Sequence, residues 1–103
     1  MPIPEITSLQ FLVLAFLVDG ELPGRSLREK FAEQGHRKSA PAFYQFMARL
    51  EEAGLVEGRY DQKVIDGQVI KERVYTVTGS GIHAWEEFRD FAISHGGLRL
   101  QGA

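Results

Sequence analysis

The segment that decides the fold is residues 39–55, which read SAPAFYQFMARLEEAGL. Ser39 is a favourable helix N-cap, and Pro41 falls in the first turn, where its missing N–H is not needed. Gly54 then ends the helix. Four apolar residues recur at the spacing of one helix face, namely Phe43, Phe46, Met47 and Leu50. The pattern predicts an amphipathic helix over 39–53 whose opposite side is free to meet a partner.

A first helix is predicted from the capping box that Thr7 can form with Gln10, and it runs to about Val18 before Asp19-Gly20. Apolar residues cover every side of this helix, which is typical of a helix that is buried all round. Because a domain this small can rarely surround a helix alone, we expect its second side to meet another subunit.

A second helix is predicted over residues 25–34, after a turn at 21–24 that contains Pro23-Gly24. Ser26 can form a capping box with Glu29 at its start. This helix precedes the helix of 39–53 by a short turn, so the two can pack as a pair.

A β-hairpin follows, because residues 55–65 and 68–78 are rich in Val, Ile, Tyr and Thr and flank Asp66-Gly67. Centring the hairpin on that turn predicts three cross-strand pairs: Tyr60 with Arg73, Gly58 with Tyr75, and Val56 with Val77. After Gly79-Ser80-Gly81, a last helix is predicted over 82–94, with its apolar side on Ile82, Trp85, Phe88, Phe91 and Ala92.

Composition bounds the function. The chain has 103 residues, 44% hydrophobic residues and no Cys, which fits one globular domain and excludes disulfides and thiol catalysis. The longest apolar run, Phe11–Val18, is far shorter than a membrane span, so we predict a cytoplasmic protein without a membrane partner. We find no catalytic constellation, metal spacing or cofactor motif, and we therefore predict a protein that is not an enzyme and binds no metal or cofactor.

The order helix, helix, helix, hairpin, helix is that of a winged helix-turn-helix, a mainly α fold with a small β-hairpin wing. Three segments carry a closer resemblance: PGRSLREKF at 23–31, FYQFMARLEEAGLV at 43–56 and VYTVTGSG at 74–81. They are similar to motifs of the PadR family of bacterial transcriptional regulators. This chain departs from the family pattern at Arg25, Gln45 and Ala48, and its short final helix is similar to the subgroup with a minimal dimerisation arm.

The resemblance implies a transcriptional regulator, expected to be a repressor, that binds duplex DNA as a homodimer. The recognition helix would be 39–53 and the wing 56–78. Within residues 1–103, we expect a winged helix over 7–81, a dimerisation helix over 82–95 and a loose tail over 96–103. Some PadR-like regulators bind flat aromatic effectors at the dimer interface, so a small aromatic effector near Trp85 is a further expectation.

Charge supports a nucleic-acid face independently of the resemblance. Residues 25–49 hold six basic and two acidic residues, a net charge of +4, whereas the whole chain carries −2. Gln45 can pair with adenine and Arg49 with guanine, whereas the wing cations are nearly cancelled by neighbouring acids. The predicted DNA contacts are Arg25, Arg28, Arg37, Lys38, Ser39, Ala42, Tyr44, Gln45, Arg49, Lys63, Lys71 and Arg73.

The predicted dimer interface joins the first and last helices. Its residues are Leu9, Phe11, Leu12, Phe16, Trp85, Phe88 and Phe91. The first interpretation of Trp85 is a core residue that packs against the first helix, and the second is a residue that lines an aromatic pocket at the dimer interface. Two alternatives to a DNA-binding regulator stay open: a winged helix used only for protein–protein contact, and a dimer whose main role is to bind a small aromatic effector.

Overall fold

The computed structural model describes residues 4–95. In chain order its elements are α1 (Ser8–Leu17), β1 (Leu22–Pro23), α2 (Gly24–Glu33), α3 (Ala40–Glu52), β2 (Val56–Ile65), β3 (Gln68–Val77) and α4 (Gly79–Ser94). The predicted fold class, mainly α with a β-hairpin wing, is confirmed. The predicted tail over 96–103 lies outside the described residues.

The wing, β2 and β3 with their connecting turn, has the predicted register. Tyr60 pairs with Arg73, Gly58 with Tyr75 and Val56 with Val77. Asp66 and Gly67 both have positive φ, 51° and 78°, as a two-residue hairpin turn of type I′ requires. The Asp-Gly dipeptide thus fixes the register, and with it the set of side chains on each face of the wing.

The predicted turn at residues 21–24 is wrong. Leu22 and Pro23 form β1, which pairs with β3 and makes the sheet three-stranded in the order β1-β3-β2. A two-residue strand is too short to show alternation, and its proline is tolerated because β1 lies at the sheet edge. Helix α2 then begins at Gly24, after Pro23 and without a side-chain cap, so the predicted Ser26–Glu29 capping box is also wrong.

Helix α4 begins at Gly79, three residues before the predicted start. The Thr78 side chain caps it by accepting a hydrogen bond from the Gly81 N–H at 3.0 Å. This cap outweighs the poor helix propensity of Gly79 and Gly81, so the helix begins earlier than predicted. The expected boundary between the winged helix (7–81) and the dimerisation helix (82–95) therefore falls inside α4.

The core lies between the first three helices and the base of the sheet. Helices α2 and α3 contribute their predicted inner sides, with Phe46 half-buried at the edge, and α1 contributes Val13, Leu14 and Leu17. The buried side chains that pack together in this core are Val13, Leu14, Leu17, Leu27, Phe31, Phe43, Met47, Leu50, Val56 and Tyr75.

The second side of α1 is partly covered within the same chain. The Phe11 ring stacks on Phe88 at 4.5 Å between centroids and lies parallel to Trp85 at 6.4 Å, so Trp85 packs against the first helix as its core interpretation predicts. Leu12 and Phe16, expected at a dimer interface, pack against the core of their own subunit. The all-round apolar character of α1 is thus explained in part by α4, without a second subunit.

Among the described helices, none is long and apolar enough to cross a membrane.

Candidate nucleic-acid interface

A depression of about 460 Å³ lies between α2 and the turn that leads into α3. We call it the basic cleft. Glu29 and Ala32 line it together with five of the predicted DNA contacts, which are Arg25, Arg28, Arg37, Lys38 and Ser39. The geometry therefore gathers most of the net positive charge of residues 25–49 on one side of the start of α3.

The cations of the basic cleft differ in how they are held. Arg28 is half-buried, and its Nη2 donates to the Lys38 carbonyl at 3.4 Å while its Nε has no partner among residues 4–95. The Lys38 ammonium lies 5.4 Å from the Phe46 ring centroid. Arg37 is exposed. Arg28 and Lys38 thus combine a packing role with their charge, whereas Arg37 is presented to solvent.

The N-terminus of α3 opens beside the basic cleft. Ser39 caps the helix, its Oγ accepting from the Ala42 N–H at 3.2 Å. The first turn of a helix presents free N–H groups and a partial positive charge that favour anions. The helix end and the side chains of the cleft therefore act in the same direction on a phosphate.

The outward side of α3 is exposed along its length. Ala42, Gln45, Ala48 and Arg49 all face solvent, opposite the buried side of the helix. Within residues 4–95, neither Gln45 nor Arg49 forms a side-chain hydrogen bond or ion pair. Both side chains are therefore free to contact another molecule.

The Tyr44 side chain is partly packed against the protein and partly exposed to solvent. It is 37% exposed, and its ring meets Phe43 edge to face at 5.4 Å between centroids. It also lies across Gly24, where an added Cβ would stand 2.8 Å from the Tyr44 hydroxyl. The glycine at the start of α2 thus makes room for the tyrosine ring, whose hydroxyl is held at the edge between α2 and α3.

A second depression, of about 600 Å³, separates α3 from the wing. We call it the wing cleft. The recognition-helix side supplies Tyr44, Ala48 and Glu51, and the wing supplies Tyr60, Lys71, Arg73 and Tyr75. The wing residues share one face because they alternate along the strands in the observed register.

The cations of the wing divide into paired and unpaired groups. Arg73 pairs with Glu51 at 2.9 Å, and Lys63 pairs at 3.5 Å with Glu72, which also accepts from Arg25 at 2.9 Å. Of the cancellation by neighbouring wing acids that the sequence predicted, only the Lys63–Glu72 pair forms, because Arg73 is neutralised by Glu51 of α3 instead. Lys71 is left without a carboxylate partner among residues 4–95.

Sequence reasoning placed Tyr44, Lys71 and Arg73 at the interface but missed Tyr60, Tyr75 and Glu51 of the wing cleft. Tyr60 is 63% exposed, with Lys71 Nζ 4.8 Å and the Arg73 guanidinium carbon 4.9 Å from its ring centroid. The signal was available, because the predicted register already placed Tyr60 opposite Arg73. Glu51, in contrast, follows from the packing of α3 against the wing, which periodicity does not encode.

Burial raises the pKa of Tyr75 to about 12, although the hydrogen bond with Arg73 opposes the shift. Burial lowers the pKa of Arg73, but the hydrogen bond and charge of Glu51 more than offset this, so that pKa stands above its ordinary value. The base of the wing cleft therefore holds a neutral tyrosine and a permanently charged, paired arginine.

No group of three or more metal-ligating side chains occurs in the part of the chain that the structure describes. His83 lies 3.3 Å from Glu87 one turn along α4, and both side chains are well exposed. This pair is the i, i+4 surface contact that the spacing suggests.

The fold and the two clefts define a winged helix-turn-helix protein. No family model matches the chain, and no curated protein matches it either. Several solved structures match the chain. A PadR family regulator from Eggerthella lenta has 24% identity and a TM-score of 0.67 over 93% of this chain and 84% of that one. A PadR-like regulator from Bacillus cereus has 24% identity and a TM-score of 0.68 over 92% and 93%.

Bacillus subtilis PadR, in complex with operator DNA, has 25% identity and a TM-score of 0.66 over 80% of this chain but only 47% of PadR. The resemblance to the PadR family that residues 23–31, 43–56 and 74–81 suggested is confirmed. This chain has the PadR-like winged-helix fold.

Proposed function

We propose that this protein is a PadR-like transcriptional regulator, without enzymatic activity, that binds duplex DNA through α3 and the wing. The observation that carries the proposal is the basic cleft, which places four cations beside the N-terminus of a helix whose outward side is exposed. In helix-turn-helix proteins, that end of the recognition helix enters the major groove. The operator complex of Bacillus subtilis PadR, which shares this fold, supports the same role here.

The proposed contacts fall into two groups. Those of the basic cleft would bind phosphates and fix the orientation of α3, whereas Gln45 and Arg49 would contact base edges. Ala42 and Ala48 can supply only shape and methyl contacts. Because few side chains on α3 can read bases, each subunit would discriminate modestly and specificity would depend on two half-sites.

We propose that the protein is a homodimer joined through α1 and α4. Support comes from α4, where Ile93 is 70% exposed and Ile82 39% exposed, and from Leu9 and Phe91, which remain half-buried within the subunit. Exposed apolar side chains on one helix favour an interface with a second copy. A two-fold dimer would place two recognition helices about one duplex turn, roughly 34 Å, apart. Bound in this way, the protein would occlude its site and act as a repressor.

One observation favours a small aromatic effector. The indole Nε1 of Trp85 is buried and has no hydrogen-bond partner among residues 4–95. A buried donor without a partner costs free energy, and a polar atom of a bound ligand could satisfy it. Trp85 fluorescence on titration with planar aromatic acids tests this directly; a saturable change supports an effector, and no change at millimolar ligand argues against it.

The ion pairs of the wing favour the alternative of a protein–protein module, since Glu51 and Glu72 neutralise cations that could otherwise meet phosphates. Selection of bound sequences from a random duplex library separates the two. We expect enrichment of an inverted repeat with half-sites about one turn apart. Failure to enrich any sequence, together with no binding to bulk duplex DNA, would favour the protein–protein role.

A further inference from the structure

Two side chains join the recognition helix to the wing. Arg73, on β3, donates from Nη2 to both carboxylate oxygens of Glu51, in the last turn of α3, at 2.9 and 3.0 Å. The two side chains are only 26% and 27% exposed. Ion pairs at this depth are better shielded from solvent than surface pairs and constrain the elements that carry them.

Gly58 makes room for this pair. A Cβ on Gly58 would collide with Glu51 Oε1 and would stand 2.8 Å from Arg73 Nη2. Its φ is not positive, so the backbone conformation does not require glycine there. A side chain there would have to displace the ends of the Glu51 and Arg73 side chains, so Gly58 leaves open the space that the ion pair occupies.

Arg73 is further enclosed by aromatic rings. Its guanidinium carbon lies 4.9 Å from the Tyr60 centroid and 5.8 Å from that of Tyr75. With Glu51 on one side and two rings around it, the guanidinium has its charge compensated within the protein. Binding a DNA phosphate would require it to leave Glu51 unpaired in a partly buried position, which is costly.

Lys71 offers the contrast on the same face of the wing. It lies two residues before Arg73 on β3, is exposed, and places Nζ 4.8 Å from the centroid of the same Tyr60 ring. It has no carboxylate partner among residues 4–95. Its charge is therefore available to an anion that enters the wing cleft.

We propose that the Glu51–Arg73 pair is a strut that sets the position of the wing relative to the recognition helix, and that Lys71, not Arg73, is the phosphate contact on this face. Arg73 is then a positioning residue, which revises its expected role as a DNA contact. With the recognition helix in the major groove and the wing in the next minor groove, one DNA strand must pass between them. The strut therefore fixes the distance between α3 and the wing that is available to this strand. This inference rests on the proposed function.

The test compares Arg73→Gln with the matched variant Lys71→Gln in DNA affinity as a function of salt. Each lost phosphate contact lowers the slope of log K against log salt by about 0.9. We expect Lys71→Gln to lower the slope by about that amount and Arg73→Gln to weaken binding with the slope unchanged. A slope that falls equally in both variants would overturn the strut.

Gly58→Ala keeps both charges and tests the strut in a second way. We expect Gly58→Ala and Arg73→Gln to lose hydroxyl-radical protection in the minor groove under the wing while protection under α3 persists. Lys71→Gln should weaken protection at both places equally. Full protection by folded Gly58→Ala and Arg73→Gln would contradict the proposal.

A measurement without DNA separates failure of the strut from failure of the proposed function. In a double-mutant cycle, Glu51→Gln and Arg73→Gln together should lower the urea midpoint by clearly less than the sum of the single changes. Additive shifts would overturn the strut. If the midpoint shifts are non-additive but the wild-type protein does not bind DNA, the proposed function is overturned and the pair is purely structural.

Discussion

The Thr78 hydroxyl donates a 2.6 Å hydrogen bond to the carbonyl oxygen of Gly54, which ties the end of the wing to the turn after α3. The Thr78 Oγ1 also accepts a hydrogen bond from the Gly81 N–H and so caps α4. One side chain therefore joins the recognition helix, the wing and the last helix at a single point. At this point Gly81 is buried against the Leu55 backbone.

Substitution of Gly81 tests this junction. A Cβ on Gly81 would collide with the Leu55 carbonyl oxygen and would stand 2.7 Å from Val77 Cγ2, so Gly81→Ala should destabilise the protein by about 1–3 kcal/mol through overpacking. Gly79→Ala is the matched control, because nothing lies within 4 Å of a Cβ there, and it should be neutral or slightly stabilising. Urea unfolding measures both. Equal effects of the two substitutions would show that helix propensity, not the contact with Leu55, governs this turn.

Tyr75 should make stability depend on pH at the alkaline end. Its pKa is about 12 in the folded protein against an ordinary 10.0, so between these values the native state binds more protons than the unfolded state. The stabilisation is complete below pH 10 and is lost as pH rises towards 12. Urea midpoints from pH 8 to 11.5 should fall more steeply for the wild type than for Tyr75→Phe. Parallel curves for the two proteins would contradict the shift.

Base readout is predicted at Gln45 and Arg49, both exposed and unpaired within the described residues. Gln45→Ala or Arg49→Ala should cost about 1–3 kcal/mol on the preferred site and relax the preference at one base pair. Competition with single-base variants of the selected site measures this. If affinity for specific and random DNA falls equally, these side chains only position the backbone.

Assembly is predicted to use the exposed side of α4. Ile93→Asp should convert a dimer into a monomer, because it places a charge on a side chain that is 70% exposed in the subunit. Val64→Asp at the wing tip is the control, since Val64 is 72% exposed but lies far along the wing from α4. Sedimentation equilibrium at low micromolar concentration should give twice the 11.6 kDa chain mass for the wild type and the control. A wild-type monomer with intact helices would reject the dimer.

Local signals in the sequence predicted most of the fold. Asp66-Gly67 fixed the register of the wing because both residues adopt positive φ, and Ser39 marked the start of α3 because its side chain caps the helix. The strand β1 could not be found in this way, since two residues show no periodicity. The packing of Trp85 against α1 was among the predictions, whereas the stacking of Phe88 on Phe11 within one chain was not, because it depends on tertiary packing.

The location of the candidate site was predictable from the sequence, but the ion pairs that its cations form were not. The charge of residues 25–49 and the position of the helices indicated the basic cleft. Which cations are neutralised depends on side-chain conformations across elements that are distant in sequence, as in the pairs of Glu51 with Arg73 and Glu72 with Arg25. Sequence spacing alone therefore treated paired and free cations of the wing alike.

The central claim is that the basic cleft binds DNA phosphates, and the salt dependence of DNA binding tests it most directly. Fluorescence anisotropy of a labelled duplex should give log K that falls linearly and steeply with log salt for the wild type. Arg37→Ala with Lys38→Ala should weaken binding to all sequences and lower that slope by roughly one to two units. An unchanged slope in a folded double variant, or wild-type binding that does not depend on salt, would contradict this account.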